Sequence, residues 1–156
     1  MGRVEEDLLQ QRLFRSDKER LIVTIMRTSA WVCEQFEQVL KPFGISQQQY
    51  NVLRILRGSN EPLSTCDIRR RMIDRASDTS RIVDRLIEKG LVEKHLDPHD
   101  KRRIAVQLTE RGHQLLTTLD PVVRDFHQLA TILTPQQRQD MIMLLDCLRS
   151  QSNAHY

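Results

Sequence analysis

The sequence predicts a mainly α-helical protein carrying one small β-hairpin, and three observations lead there. Apolar residues recur at spacings of three and four through most of the chain, the mark of helices with one buried face. Between 91 and 108 that period shortens to two, as a pair of strands requires. Only 4% of residues are aromatic, with five Gly and five Pro in 156; this is poor material for a sandwich or barrel. A chain of this length predicts one domain, 1–156, with a real core.

Residues 5–14 (EEDLLQQRLF) suit a short helix or arm. A long helix follows over 17–40, its stripe formed by Leu21, Ile22, Ile25, Met26, Ala30, Cys33, Phe36 and Leu40. Pro42 and Gly44 end it, because proline cannot continue a helix and glycine accepts a left-handed cap. Ser46 with Gln49 reads as a capping box opening a helix that stops near Gly58. Leu63, after the turn-forming 59–62, can add one strand pairing.

Ser64 and Asp67 open the next helix by the same capping logic, with Ile68, Met72 and Ile73 as its inner face. A tight turn leads to a second helix over 78–89, capped by Ser77, whose Ile82, Val83, Leu86 and Ile87 face the core. Gly90 closes it. Two short helices so joined have helix-turn-helix proportions. The hairpin that follows has Ile104, Val106 and Leu108 alternating with Arg103, Ala105 and Gln107, and a charged tip, DPHDKR, at 97–102. A hairpin there is the wing of a winged helix-turn-helix.

Thr109 caps a helical segment reaching about 133, in which Pro121 must kink or break the helix. Thr134-Pro135-Gln136-Gln137 caps a last helix carrying Met141, Ile142, Leu144, Leu145 and Leu148. The tail 150–156 reads as disordered. The fold class is therefore mainly α with a β-hairpin wing: a winged helix-turn-helix at 45–108, flanked by N- and C-terminal helices at 5–44 and 109–150. A lone chain would expose the stripes of the flanking helices, so they predict a homodimer interface.

Charge places the chemistry. Residues 64–108 hold 11 Lys/Arg against 8 Asp/Glu, and the remainder 13 against 13, so the net charge of +3 sits in that window. A helix inserted in a major groove reads base edges with its N-terminal residues while its neighbours grip phosphates. The candidate DNA contacts are Arg70, Arg75, Ser77, Asp78, Thr79, Ser80, Arg81 and Arg85, with Lys101, Arg102 and Arg103 at the hairpin tip. Arg81 and Arg85, one turn apart, suit bidentate bonds to guanine. Arginines at a wing tip suit a narrow minor groove. The bland alternative for the helix is a solvated face in which Asp84 pairs with Arg81 or Arg85.

Other chemistries find little support. The sequence has no phosphate-cradling glycine loop, no nucleophile elbow and no zinc-type cysteine pairing, so no enzyme, metal or cofactor is expected. Cys33, Cys66 and Cys147 read as reduced, mostly buried thiols. No apolar run approaches the roughly 18 residues of a membrane span, and the acidic N-terminal stretch lacks the character of a signal peptide, so a cytoplasmic protein without membrane association is expected.

The residues FGIS-x-x-Q-Y-x-V-L-x-x-L at 43–56, SRIVDRLIEKGLV at 80–92, D-x-R-R at 100–103 and LTERG at 108–112 resemble, in this order, the MarR family of bacterial winged-helix transcription regulators. The resemblance implies a triangular dimer that binds pseudo-palindromic double-stranded DNA, joined by its terminal helices. It also implies release of DNA on binding a small aromatic effector, as in many members. The candidate pocket residues, between the long helices and the reading module, are Trp31, Cys33, Tyr50 and Arg54, with Trp31 and Tyr50 reading equally well as plain core residues. The sequence departs from the family at Arg69, where a small residue is usual; Arg69, Arg70 and Arg71 read either as phosphate contacts or as a solvated face. The competing functions are a winged-helix protein-interaction module without DNA binding and a thiol- or metal-sensing switch on the same scaffold.

Overall fold

The structure, a computed structural model, describes residues 4–96 and 104–150. The chain forms two compact units that divide between Leu116 and Thr117.

The first unit begins with helix α1 (Val4–Asp7), shorter than the 5–14 expected. Leu9 takes a positive φ of 49°, a left-handed conformation that a helix cannot continue through. Arg20 holds this arm to the next helix by an ion pair to Glu5 at 2.7 Å. Helix α2 (Asp17–Leu40) starts at Ser16, whose hydroxyl accepts from the Glu19 N–H. It tightens into a 3-10 turn at Lys41–Phe43 and ends at Gly44, φ 67°, as Pro42 and Gly44 dictate. Helix α3 (Gln47–Arg57) opens with both bonds of the Ser46/Gln49 capping box.

Helices α4 (Thr65–Arg71) and α5 (Thr79–Glu88) form the helix-turn-helix. Strands β1 (Val92–Leu96) and β2 (Ile104–Leu108) form the antiparallel hairpin, Val92 opposite Leu108 and Leu96 opposite Ile104. Leu63 and Val106 exchange backbone hydrogen bonds of 3.0 and 2.8 Å, the expected extra pairing. The core gathers Leu40, Val52, Leu53, Ile68, Leu86 and Val106, all with no exposed surface. Each such side chain stabilises the fold by about 1.5–3 kcal/mol relative to exposure.

Helix α6 (Glu110–His127) crosses from the first unit into the second and remains helical through Pro121, so the proline does not break it. The helix gives way instead at a 3-10 turn, Gln128–Ile132. Helix α7 (Pro135–Ser150) opens with the expected reciprocal bonds between Thr134 and Gln137 and buries none of its residues.

Several expectations need correction. The turn between α4 and α5 is not tight: it spans residues 72–78. Because α4 stops at Arg71 and Met72 is extended, Ile73 leaves the inner face and is 75% exposed. Ser77 does not cap α5; Asp78 does, accepting from the Arg81 N–H. On β2 the alternation fails at its start, where Ile104 is exposed while Ala105 and Val106 are both buried. Cys66 and Cys147 are exposed rather than buried: Cys66 lies two residues before Ile68, across the helix from the buried face.

The two ends of the hairpin meet at one backbone junction. The Thr109 N–H donates to the Leu91 carbonyl (3.1 Å), and its hydroxyl donates to the Gly90 carbonyl (2.7 Å) while accepting from the Gly112 N–H (3.1 Å). A Cβ at Gly112 would lie 2.2 Å from the Leu91 carbonyl oxygen, so only glycine allows this approach. Gly112→Ala is expected to lower stability by about 1–3 kcal/mol in urea unfolding. Gly58→Ala, whose Cβ would meet its nearest neighbour at 3.5 Å, is the control and should shift the midpoint little.

Candidate nucleic-acid interface

Helix α5 is two-sided. Ile82, Val83 and Leu86 are buried, which turns Ser80, Arg81, Asp84 and Arg85 outward as one exposed face. The helix starts where it does because the Asp78 carboxylate caps it, and the same carboxylate lies 3.5 Å from the Arg81 Nε. Asp78 thus braces Arg81 at the N-terminal turn, where the backbone N–H groups also favour an anion such as phosphate.

Asp84, in the middle of this face, pairs neither with Arg81 nor with Arg85. It takes Lys94 of β1 at 2.7 Å. The wing therefore neutralises the acid that would repel phosphate, and Arg81 and Arg85 keep their outward positions. Both partners are largely exposed, so the pair contributes under about 1 kcal/mol to stability; its effect is on charge and geometry. Lys94 went unnoticed in the sequence because the pairing depends on how β1 lies against α5.

On the hairpin, Gln107 donates to Glu93 (2.8 Å) across the strands, and His95 lies 3.0 Å from the same carboxylate. The Gln107 amide first, then His95, hold the Glu93 carboxyl below the usual carboxylate range. The tip residues Lys101, Arg102 and Arg103 lie outside the described residues.

Two of the candidate contacts belong to the interior. Thr79 is 3% and Ser77 8% exposed. The Ser77 hydroxyl donates to Asp74 (3.0 Å) and accepts from Gln48 (3.1 Å), leaving no group to offer a phosphate. Arg70 and Arg75 are exposed, Arg70 lying 3.7 Å from Asp67. Arg69 is exposed and lies along the surface, its Nε donating to the Arg75 carbonyl (3.4 Å), so the unusual arginine braces the turn.

The four candidate pocket residues differ in their surroundings. Tyr50 is buried edge-on against Phe36, ring centroids 5.3 Å apart. Cys33 accepts from Gln47 (3.5 Å), Trp31 is 38% exposed and Arg54 is exposed. A cleft of about 540 Å³ is lined by Glu5, Leu13, Phe14, Ser16, Asp17 and Arg20, and one of about 240 Å³ lies among Arg57, Asn60, Glu61, Gln107 and His113. Among the described residues, no group of three His, Cys, Asp or Glu side chains could hold a metal ion, and no helix is long and apolar enough to cross a membrane.

Residues 45–112 match the family described as winged helix DNA-binding domain. Among curated proteins, the chain is 25% identical over 118 residues to the transcriptional repressor MprA of Escherichia coli K12, covering 74% of this chain and 67% of the relative. Among solved structures it is 30% identical to a MarR transcription factor from Planctomyces limnophilus, with a TM-score of 0.63 over 90% of this chain and 99% of that one. It also resembles BpsR of Bordetella bronchiseptica, at 24% identity, a TM-score of 0.76, and 88% and 98% coverage; that structure addresses regulation of BpsR's DNA binding by 6-hydroxynicotinic acid.

The cap gives this face its own test. Asp78→Ala should destabilise the protein by about 0.5–2 kcal/mol in urea unfolding, and Asp78→Ser should recover most of that. Equal losses in both variants would mean that the carboxylate acts through its charge rather than as a cap.

Proposed function

The chain belongs to the MarR family of winged-helix transcription regulators, and we propose from that premise that it acts as a homodimer on pseudo-palindromic duplex DNA, as a ligand-responsive repressor. The observation that carries this reading is the outer face of α5, where Ser80, Arg81 and Arg85 stand exposed opposite the buried Ile82, Val83 and Leu86. A helix so anchored presents a rigid edge to a major groove, which is wide enough to admit it. Arg81 and Arg85 read bases; Arg70 and Arg75 grip phosphates; Asp78 positions Arg81. Lys101, Arg102 and Arg103 of the wing reach the adjacent minor groove. The whole chain, 1–156, is one functional domain in which 45–108 binds DNA.

The flanking helices supply the dimer interface. Helix α2 buries only Leu40 of its 24 residues, and Leu21, Ile22 and Met26 are 53, 46 and 67% exposed. On α7, Ile142, Met143 and Leu144 are 54, 62 and 64% exposed. Apolar faces of this extent are usually covered by a partner, and a second copy places two α5 helices about one duplex turn, ~34 Å, apart. For the effector, the acid named with the Bordetella protein supports a small aromatic ligand. In this chain Trp31, Cys33, Tyr50 and Arg54 remain its proposed contacts.

In-vitro selection of bound duplexes tests the reading. The selected site should contain two half-sites, and Arg81→Ala should weaken binding by about 1–3 kcal/mol and relax preference at one base pair. Arg102→Ala should weaken binding to all duplexes alike and reduce its salt dependence. Variants at both positions that bind the selected site like the wild type would remove α5 and the wing as the reading elements. Sedimentation at micromolar concentration should return twice the chain mass of 18.4 kDa; a single-chain mass would overturn the dimer.

A further inference from the structure

A connection of seven residues, 72–78, separates α4 from α5, against roughly three or four in an ordinary helix-turn-helix. A longer connection left to itself would let the first turn of α5 pivot. Here it is held from one edge of α3. Asn51 Oδ1 accepts from the Ile73 N–H at 2.9 Å, and Gln48, one turn earlier, donates to Ser77 at 3.1 Å. From Ser77 the bonds continue to Asp74 Oδ2 (3.0 Å), whose other oxygen accepts from the Ala76 N–H (3.0 Å). Both ends of the connection are therefore pinned to one rigid helix.

Asn51 is 4% exposed, and its Nδ2 has no hydrogen-bond partner among the described residues. An unpaired buried donor is destabilising. The acceptor end of the same side chain holds Ile73, which lies past the last turn of α4 and has no helical carbonyl to bond. The Ser77 proton is spent on Asp74, so only a donor at position 48 continues the chain of bonds. Because Thr79 follows Ser77 by two residues, and its N–H donates to the Ser77 carbonyl at 2.9 Å, the position of Ser77 is the position of the first turn of α5.

We propose that Gln48 and Asn51 are positioning residues that fix the angle at which the first turn of α5 meets DNA, setting sequence discrimination without reading a base. The proposal rests on α5 being the reading helix. Discrimination requires the Arg81 guanidinium to meet a base edge in bidentate geometry, whereas phosphate attraction tolerates a tilt. Loosening the turn therefore lowers specificity more than affinity.

The test uses the full chain, the duplex selected by the wild type, single-base-pair variants of that duplex, and an unrelated duplex. Gln48→Met removes the donor and keeps the side-chain length. It should reduce the preference for the selected duplex over its variants by about fivefold or more, with affinity for the unrelated duplex and the melting temperature little changed. Asn51→Ala should show the same loss, with faster hydrogen exchange at the Ile73 amide in the free protein. Should Asn51→Ala fail to fold, Gln48→Met decides. Undiminished preference in Gln48→Met overturns the proposal while leaving α5 as the reading helix. A wild type that prefers no duplex overturns the functional reading and this proposal together.

Discussion

The backbone junction of Gly90, Leu91, Thr109 and Gly112 is the constraint on which the DNA-facing part of the molecule depends. Chain leaving α5 and chain leaving the wing meet there through hydrogen bonds of 2.7 to 3.1 Å, with Gly112 admitting a carbonyl where any Cβ would stand. A two-stranded hairpin is marginal by itself in water. This one has its root fastened to the end of α5 and its second strand bonded to Leu63, so its direction follows from that of α5. The helix and its wing are thus fastened together at their common root.

Acidic residues do the placing on this surface. Asp78 ends the connection and starts the helix, Asp84 draws Lys94 of the wing toward the helix, and Asp74 closes the turn on Ser77 and Ala76. Each carboxylate is occupied by a backbone N–H, a hydroxyl or a cation, which limits its repulsion of phosphate. Arg81 keeps its outward position with 81% of its side-chain surface exposed. The modest charge surplus of the window therefore understates its suitability for DNA, because three of its acids, Asp74, Asp78 and Asp84, are engaged within the protein.

What was legible in the sequence was local. The Ser46/Gln49 and Thr134/Gln137 boxes, the Ser64 cap and the Gly44 stop each depend on residues within a few positions, and the structure has all of them. The winged helix-turn-helix order followed from a change of period that needs no tertiary knowledge. What failed depends on distant partners. Ser77 and Asp78 are both good capping residues, and the Ser77 hydroxyl is instead engaged by Asp74 and by Gln48, 29 positions away. Ile73 looks helical until Asn51, 22 positions away, is seen to hold its N–H beyond the helix end. The pairing of Asp84 with Lys94 was hidden for the same reason: helical spacing proposes Arg81 and Arg85, and the strand outcompetes them. The wing-tip arginines remain a reading of sequence alone.

The helices that flank the reading module present a different energetic problem. An isolated helix of the length of α7 is marginal in water, since nucleation is costly and most helical stability comes from burying an apolar face. Yet α7 buries no residue, and α2 one. The reading module, by contrast, holds most of the buried side chains, Val52, Leu53, Ile68, Leu86 and Val106 among them. Under the dimer reading, the stability of the flanking helices is supplied by association, and their folding becomes dependent on protein concentration. The distance between two α5 helices is then set by the least self-sufficient part of the chain. A ligand that alters the packing of those helices can change the half-site spacing without touching α5, whose own geometry is held by α3 and by the Gly112 junction.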